Sequence, residues 1–155
     1  MNTCQLNKTF FKNKTFKGVF PCDQLPQTER FKLPYGLIVN TDPSSGPGEH
    51  WISIFVNENR HAEIFDSFGK PPTNDFIVAF VECNTDSSCF NIVRVQHELS
   101  EKCGQFSIGF LKARMRGFSA EDYLSIFTQD DLRQNDKIIE LFNNNCAAYK
   151  NVSRT

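Results

Sequence analysis

Two apolar runs separated by four turn residues constrain this chain more than any other feature. Ile52, Ile54 and Val56 alternate with Ser53 and Phe55, Asn57-Glu58-Asn59-Arg60 interrupts them, and a second run continues from His61 to Asp66. A period of two is what a half-buried strand requires, and a short polar interruption rich in Asn closes a hairpin. A hairpin brings its outer ends together. His50 and Asp66, distant in sequence, therefore become neighbours at one end of it. Ahead of His50, the stretch Thr41-Asp42-Pro43-Ser44-Ser45-Gly46-Pro47-Gly48 carries two Gly and two Pro and reads as a loop that edges that end.

Other segments give an α+β chain in which helices pack around a small central mixed or antiparallel sheet. Residues 16 to 21 read as a short strand stopped by Pro21, and Gly36 to Asn40 as a compact apolar one. Thr73-Asn74-Asp75 is a helix-start signal for the apolar run Phe76 to Val81, with Phe76, Phe80 and Cys83 expected on one face. Asn91 to Val95 alternates and predicts a strand leading to Gln96. Ser100 predicts an N-cap, which puts Cys103 at the third position of a helix that runs through Phe106, Phe110 and Leu111 to Arg116 and stops at Gly117. Ser119 and the Thr128 to Asp131 stretch predict two further helices. Residues 1 to 15, with Lys8, Lys12 and Lys14, read as a loosely ordered basic arm or a short helix. The 155 residues are taken as one domain.

Composition narrows the function classes. A net charge of -1 excludes broad, sequence-independent attraction to nucleic acid. Six cysteines invite a disulfide framework, but the first eight residues hold no apolar signal core, so a reduced, intracellular and unsecreted protein is expected and the triplets at Asn7, Asn13 and Asn151 are not read as glycosylation sites. No run reaches membrane-spanning length. Zinc modules need close ligand pairs, and Cys83 and Cys89 are too far apart for one, so no metal is expected.

The remaining constellation is His50, Asp66, Gln96 and Cys103. A cysteine has a pKa of about 8.5, and a helix N-terminus with an adjacent imidazolium lowers it into or below the neutral range. Cys103 has the first aid by position and His50 supplies the second, while Asp66 orients and charges the imidazole. The Gln96 side-chain amide and the Cys103 backbone N–H supply an oxyanion hole. Singly, each residue is more often structural: a packed thiol, a strand-end histidine, a turn aspartate, a solvated glutamine. In this order and on these elements they form the parts of thiol-based acyl transfer. His97 lacks a carboxylate partner beyond Glu98, and His61 begins the return strand at the end away from Asp66. Cys83, Cys89 and Cys146 lack both a helix start and a preceding glutamine.

The pieces Gly48-Glu49-His50-Trp51, Ile64-Phe65-Asp66-Ser67-Phe68-Gly69, Gln96 and Cys103-Gly104-Gln105-Phe106 resemble the adenovirus-type proteinases, cysteine proteases of the same clan as the ubiquitin-like-protein proteases. The spacing of seven residues from Gln96 to Cys103 matches the viral type. The resemblance covers residues 16 to 145 and implies an α+β protease fold with the nucleophile at a helix N-terminus. Carried over, Cys103 is nucleophile, His50 base, Asp66 orienting carboxylate and Gln96 oxyanion donor, with Trp51 and Gly104 lining a substrate channel.

The resemblance implies an endopeptidase that cuts viral structural precursors after small residues, often glycine, acting in the host nucleus or cytoplasm and inside virions. It also implies a short activating peptide linked through a disulfide, for which Cys89 is the candidate. No other cofactor is required, and the near-neutral charge argues against DNA stimulation. A monomer that does not bind membranes is expected. Two other readings stay open: an isopeptidase for glycine-ended ubiquitin-like modifiers, and an inactive protease fold kept as a binding module.

Overall fold

The computed structural model describes residues 1–10, 12–29 and 31–145, and Cys146 lies outside them. Five strands, β1 (Phe16–Pro21), β2 (Tyr35–Asn40), β3 (Trp51–Val56), β4 (His61–Phe65) and β5 (Ser87–Phe90), form one mixed sheet in the order of the chain. β1 runs parallel to β2, β2 and β4 flank β3 antiparallel, and β5 lies parallel to β4. The described helices are α1 (Thr3–Thr9), α2 (Asp75–Asn84), α3 (Cys103–Met115), α4 (Ala120–Ser125) and α5 (Asn135–Asn145). The expected α+β architecture is borne out. None of the described helices is long and apolar enough to cross a membrane.

Alternation in β2, β3 and β4 sorts side chains to two cores. Leu37, Val39, Ile52, Ile54, Val56, Ala62 and Ile64 face α2, whose Ile77, Phe80 and Val81 close that layer. On the opposite face, Ile38, Phe55 and Phe65 meet α3, α4 and α5. The abundance of Phe is used here: Phe65 stacks on Phe110 at 4.9 Å, and Tyr123 meets Phe65 and Phe127 edge-on. The Tyr123 hydroxyl donates to the Phe106 carbonyl at 2.7 Å, so the one polar atom of this aromatic cluster is satisfied. α3 is buried almost all round, from Gly104 to Ala113, and forms the axis of the helical layer.

Three local expectations need correction. The apolar face of α2 is Ile77, Phe80 and Val81, an i, i+3, i+4 stripe that meets the sheet, while Phe76 is 55% exposed and Cys83 is exposed. The strand expected over Asn91 to Val95 is not formed. The paired strand lies earlier, at Ser87–Phe90, where four exposed residues give no buried alternation to read. Ser100 does not cap α3: its hydroxyl donates to Asp136 and accepts from the Lys102 N–H, and the helix starts with Cys103 as its first residue after Lys102. Of the two readings of the N-terminal residues, the short helix is the one found, over residues 3 to 9. Asn2 and Gln5 form a reciprocal capping box, and Leu6 is fully buried.

Candidate active site

The β3–β4 hairpin and the start of α3 build the site. Ser53 pairs with Phe65 at the end of the ladder, so the residues just outside it, His50 and Asp66, converge. His50 Nε2 lies 2.8 Å from Asp66 Oδ1, and the two side chains are only 17% and 12% exposed. His50 is delivered by the loop after β2, which is cinched by its own bonds: Thr41 N–H donates to the His50 carbonyl, and Asn40 Oδ1 accepts from the Asp42 and Glu49 amides. Asp66 is fixed from below. Asn91 accepts from its N–H at 2.9 Å and donates to its carbonyl at 2.7 Å, so a side-chain amide continues the ladder where β5 has ended. The Phe68 N–H donates to Asp66 Oδ1, and the Phe68 ring lies 4.9 Å from that of His50.

α3 brings Cys103 to this pair, and Ser107, one turn into the helix, donates to the Trp51 carbonyl at 3.1 Å. With Nε2 occupied by Asp66, the ring nitrogen left for the sulfur is Nδ1. Burial disfavours the charged imidazole of His50, yet its bonds to Asp66 and Cys103 win and raise its pKa from 6.5 to about 9. For Cys103 burial again opposes the charge, but the bond to His50 and those to the Trp51 and Gly104 backbone lower the thiol below its ordinary range. Opposite shifts of this kind describe a thiolate–imidazolium pair. The first-turn position of Cys103 adds the helix dipole in the same sense.

Gln96 is 1% exposed and its amide is held at both ends: Ser67 Oγ donates to Oε1 at 2.5 Å and Nε2 donates to the Ser100 carbonyl at 2.7 Å. A primary amide has two N–H protons, so one remains beyond the Ser100 bond. The backbone beside it is pinned too, because the Val95 and Gln96 N–H groups both donate to the Ser67 carbonyl. Ser67 is thus a site residue that the sequence shows only as part of the Asp66-Ser67-Phe68-Gly69 motif. Its position directly after the carboxylate was the available signal. Gly69 closes the same turn at a φ of +67°, and a Cβ there would lie 2.8 Å from the Ile92 carbonyl oxygen. Only glycine lets residues 92 to 94 pass so close.

Trp51 lines a cleft of about 340 Å³ together with Met1, Thr3, Pro21, Asp42 and Pro47. Gly104 sits elsewhere: it is buried, and a Cβ on it would meet Met1 Sδ at 3.2 Å and Leu6 at 3.4 Å. Its small size admits α1 rather than widening the cleft. Cys89 is free and exposed, with His61 Nε2 3.2 Å from its sulfur and the other ring nitrogen of His61 on Ser87. Burial and Glu63 raise the Cys89 thiol, the reverse of Cys103. His97 Nδ1 accepts from the Leu99 N–H. Among the described residues, no group of three or more His, Cys, Asp or Glu is arranged to hold a metal ion.

No family model matches the chain. Over 108 residues, 63% of its length, it is 27% identical to a cysteine protease of African swine fever virus from a Malawi tick isolate. It is 26% identical over the same length to proteins of other isolates named SUMO-1 cysteine protease. The match spans 40% of those relatives, so the chain corresponds to less than half of their length. The crystal structure of the African swine fever virus protease superposes with a TM-score of 0.64 at 19% identity, covering 92% of this chain and 66% of that one. The chain is therefore homologous to a viral cysteine protease and shares its fold. The resemblance drawn from the motifs is borne out at the level of the clan.

Proposed function

We propose that the chain is a cysteine endopeptidase that cleaves structural precursor proteins of a virus or virus-like element after small residues, glycine above all. The observation that carries this reading is His50 held between Asp66 and Cys103, with its pKa up and that of the thiol down. The Cys103 sulfur attacks the scissile carbonyl carbon and the carbonyl oxygen takes up the negative charge. Gln96 Nε2 and the Cys103 N–H donate to that oxygen. As the C–N bond breaks, His50 passes its proton to the leaving amine. Neutral His50 then takes a proton from water, the hydroxide attacks the thioester, and Cys103 leaves as thiolate.

The preference for small residues follows from the resemblance to the viral proteinases, and the Trp51 backbone, which bonds the Cys103 thiol, puts Trp51 next to the nucleophile. The same reading gives the protein intracellular sites of action, a monomeric state and a peptide activator joined through exposed Cys89. Homologues named for SUMO-1 favour one second reading, a deconjugase of glycine-ended modifiers. Wild type and Cys103→Ala are incubated with a precursor-like peptide carrying glycines before the cleavage point and, separately, with a SUMO-1 conjugate. Cleavage after glycine in the peptide by wild type alone supports the proposal. Cleavage of the conjugate alone assigns the second reading, and no Cys103-dependent cleavage of either rejects both.

A further inference from the structure

Arg94 bridges the two halves of the site. Its Nε donates to the Gln96 carbonyl at 2.9 Å, and its guanidinium carbon lies 5.2 Å from the centre of the Phe68 ring. Phe68 packs on His50 and donates its backbone N–H to the same Asp66 oxygen that pairs with His50. Lys70 places a second cation 5.7 Å from that ring. One side chain therefore connects the amide side of the cleft to the general-base side.

The segment that carries Gln96 needs such a connection. Residues 91 to 96 belong to no strand, and Ile92 and Val93 turn outward, Ile92 to 80% exposure. Packing holds it only near its end, where Val95 is fully buried in the core. Hydrogen bonds hold the rest: the Asn91 side chain donates to the Val93 carbonyl, the Asn135 side chain to the Val95 carbonyl, and the Val95 and Gln96 N–H groups to the Ser67 carbonyl. Arg94 alone reaches across to Phe68 while donating to the Gln96 carbonyl. A guanidinium suits the task because its flat face lies on an aromatic ring while an edge N–H donates to a carbonyl.

We infer that Arg94 is a positioning residue that fixes Gln96 relative to the His50–Asp66 pair. The inference rests on the protease reading and on Gln96 as oxyanion donor. An oxyanion donor acts only over a hydrogen-bond distance set in advance, so a small drift of the segment lowers the rate of acyl transfer. His50 stays tied to Asp66 and Phe68 without Arg94, and the thiolate–imidazolium pair persists.

Two rates measured on Arg94→Met separate this role from general damage. Peptide hydrolysis needs the oxyanion donor, whereas alkylation of Cys103 by iodoacetamide forms no oxyanion. The expected result is a kcat lower by roughly tenfold or more, a KM within about twofold and an alkylation rate within about twofold of wild type. Arg94→Lys, which keeps a cation and a donor, recovers part of the lost kcat. An unchanged kcat, or hydrolysis and alkylation falling in the same proportion, overturns the role while an active wild type leaves the protease reading standing. A wild type that hydrolyses no peptide and alkylates Cys103 no faster than its other cysteines overturns the reading, and this role with it.

Discussion

His50 Nε2 and Asp66 Oδ1 meet at 2.8 Å across the open end of a single hairpin. The contact fixes which imidazole nitrogen is free for Cys103 and keeps the ring protonated. Register brings the two flanks to one end. The Asn40 bonds within the loop before His50, and those of Asn91 and the Phe68 N–H to Asp66, then set the contact.

The pair sets a pH window for activity. The reactive form needs Cys103 deprotonated and His50 protonated. Rates rise with pH as the lowered Cys103 thiol ionises and fall as pH climbs past about 9, where His50 loses its proton. A profile of kcat/KM against pH checks both limbs. In Asp66→Asn the bond that raises His50 is weakened, so the descending limb moves toward neutrality and kcat drops on the order of a hundredfold or more.

Ser67→Ala removes the donor to Gln96 Oε1 inside a dry site. An unsatisfied buried carbonyl costs about 1–3 kcal/mol, read as a lower urea midpoint. Activity falls as well, because the Gln96 amide loses the bond that fixes which way round it lies.

Gly69→Ala combines a φ of +67° with a Cβ placed 2.8 Å from the Ile92 oxygen and 2.9 Å from the Arg94 nitrogen. Both contacts are backbone and cannot swing aside. A loss of about 1–3 kcal/mol is expected from chemical denaturation.

Leu6→Ala tests whether α1 is part of the fold. Leu6 is fully buried against α3 beside Gly104. Truncation costs about 2–5 kcal/mol if the helix is docked as seen, and almost nothing if it is a detached arm. Thermal melting distinguishes the two.

Much of this architecture was legible because burial is written as periodicity. Ile52, Ile54 and Val56 announced β3, and Gly117 and Ser119 marked the end of α3 and the start of α4. β5 escaped because Ser87-Ser88-Cys89-Phe90 is an exposed edge with no apolar face. Asn91 to Val95 misled for the complementary reason. It alternates, yet it is anchored by the Asn91 amide and the Ser67 carbonyl instead of by a ladder. α1 shows only Leu6 and Phe10 buried among polar residues, too little for a pattern. At the site, the sequence indicated residue types and order. The partners that hold them, Ser67, Phe68, Asn91 and Arg94, became visible only once the chain was folded.

The central claim is that Cys103 is a thiolate beside a protonated His50, and site-resolved alkylation tests it most directly. Iodoacetamide labelling at pH 6 to 7, followed cysteine by cysteine with peptide mass spectrometry, compares Cys103 with Cys4, Cys22, Cys83 and Cys89. The account predicts labelling of Cys103 roughly tenfold faster than any of these, with the advantage lost in His50→Ala. Equal rates at all five positions, or a Cys103 rate unchanged by His50→Ala, would contradict it.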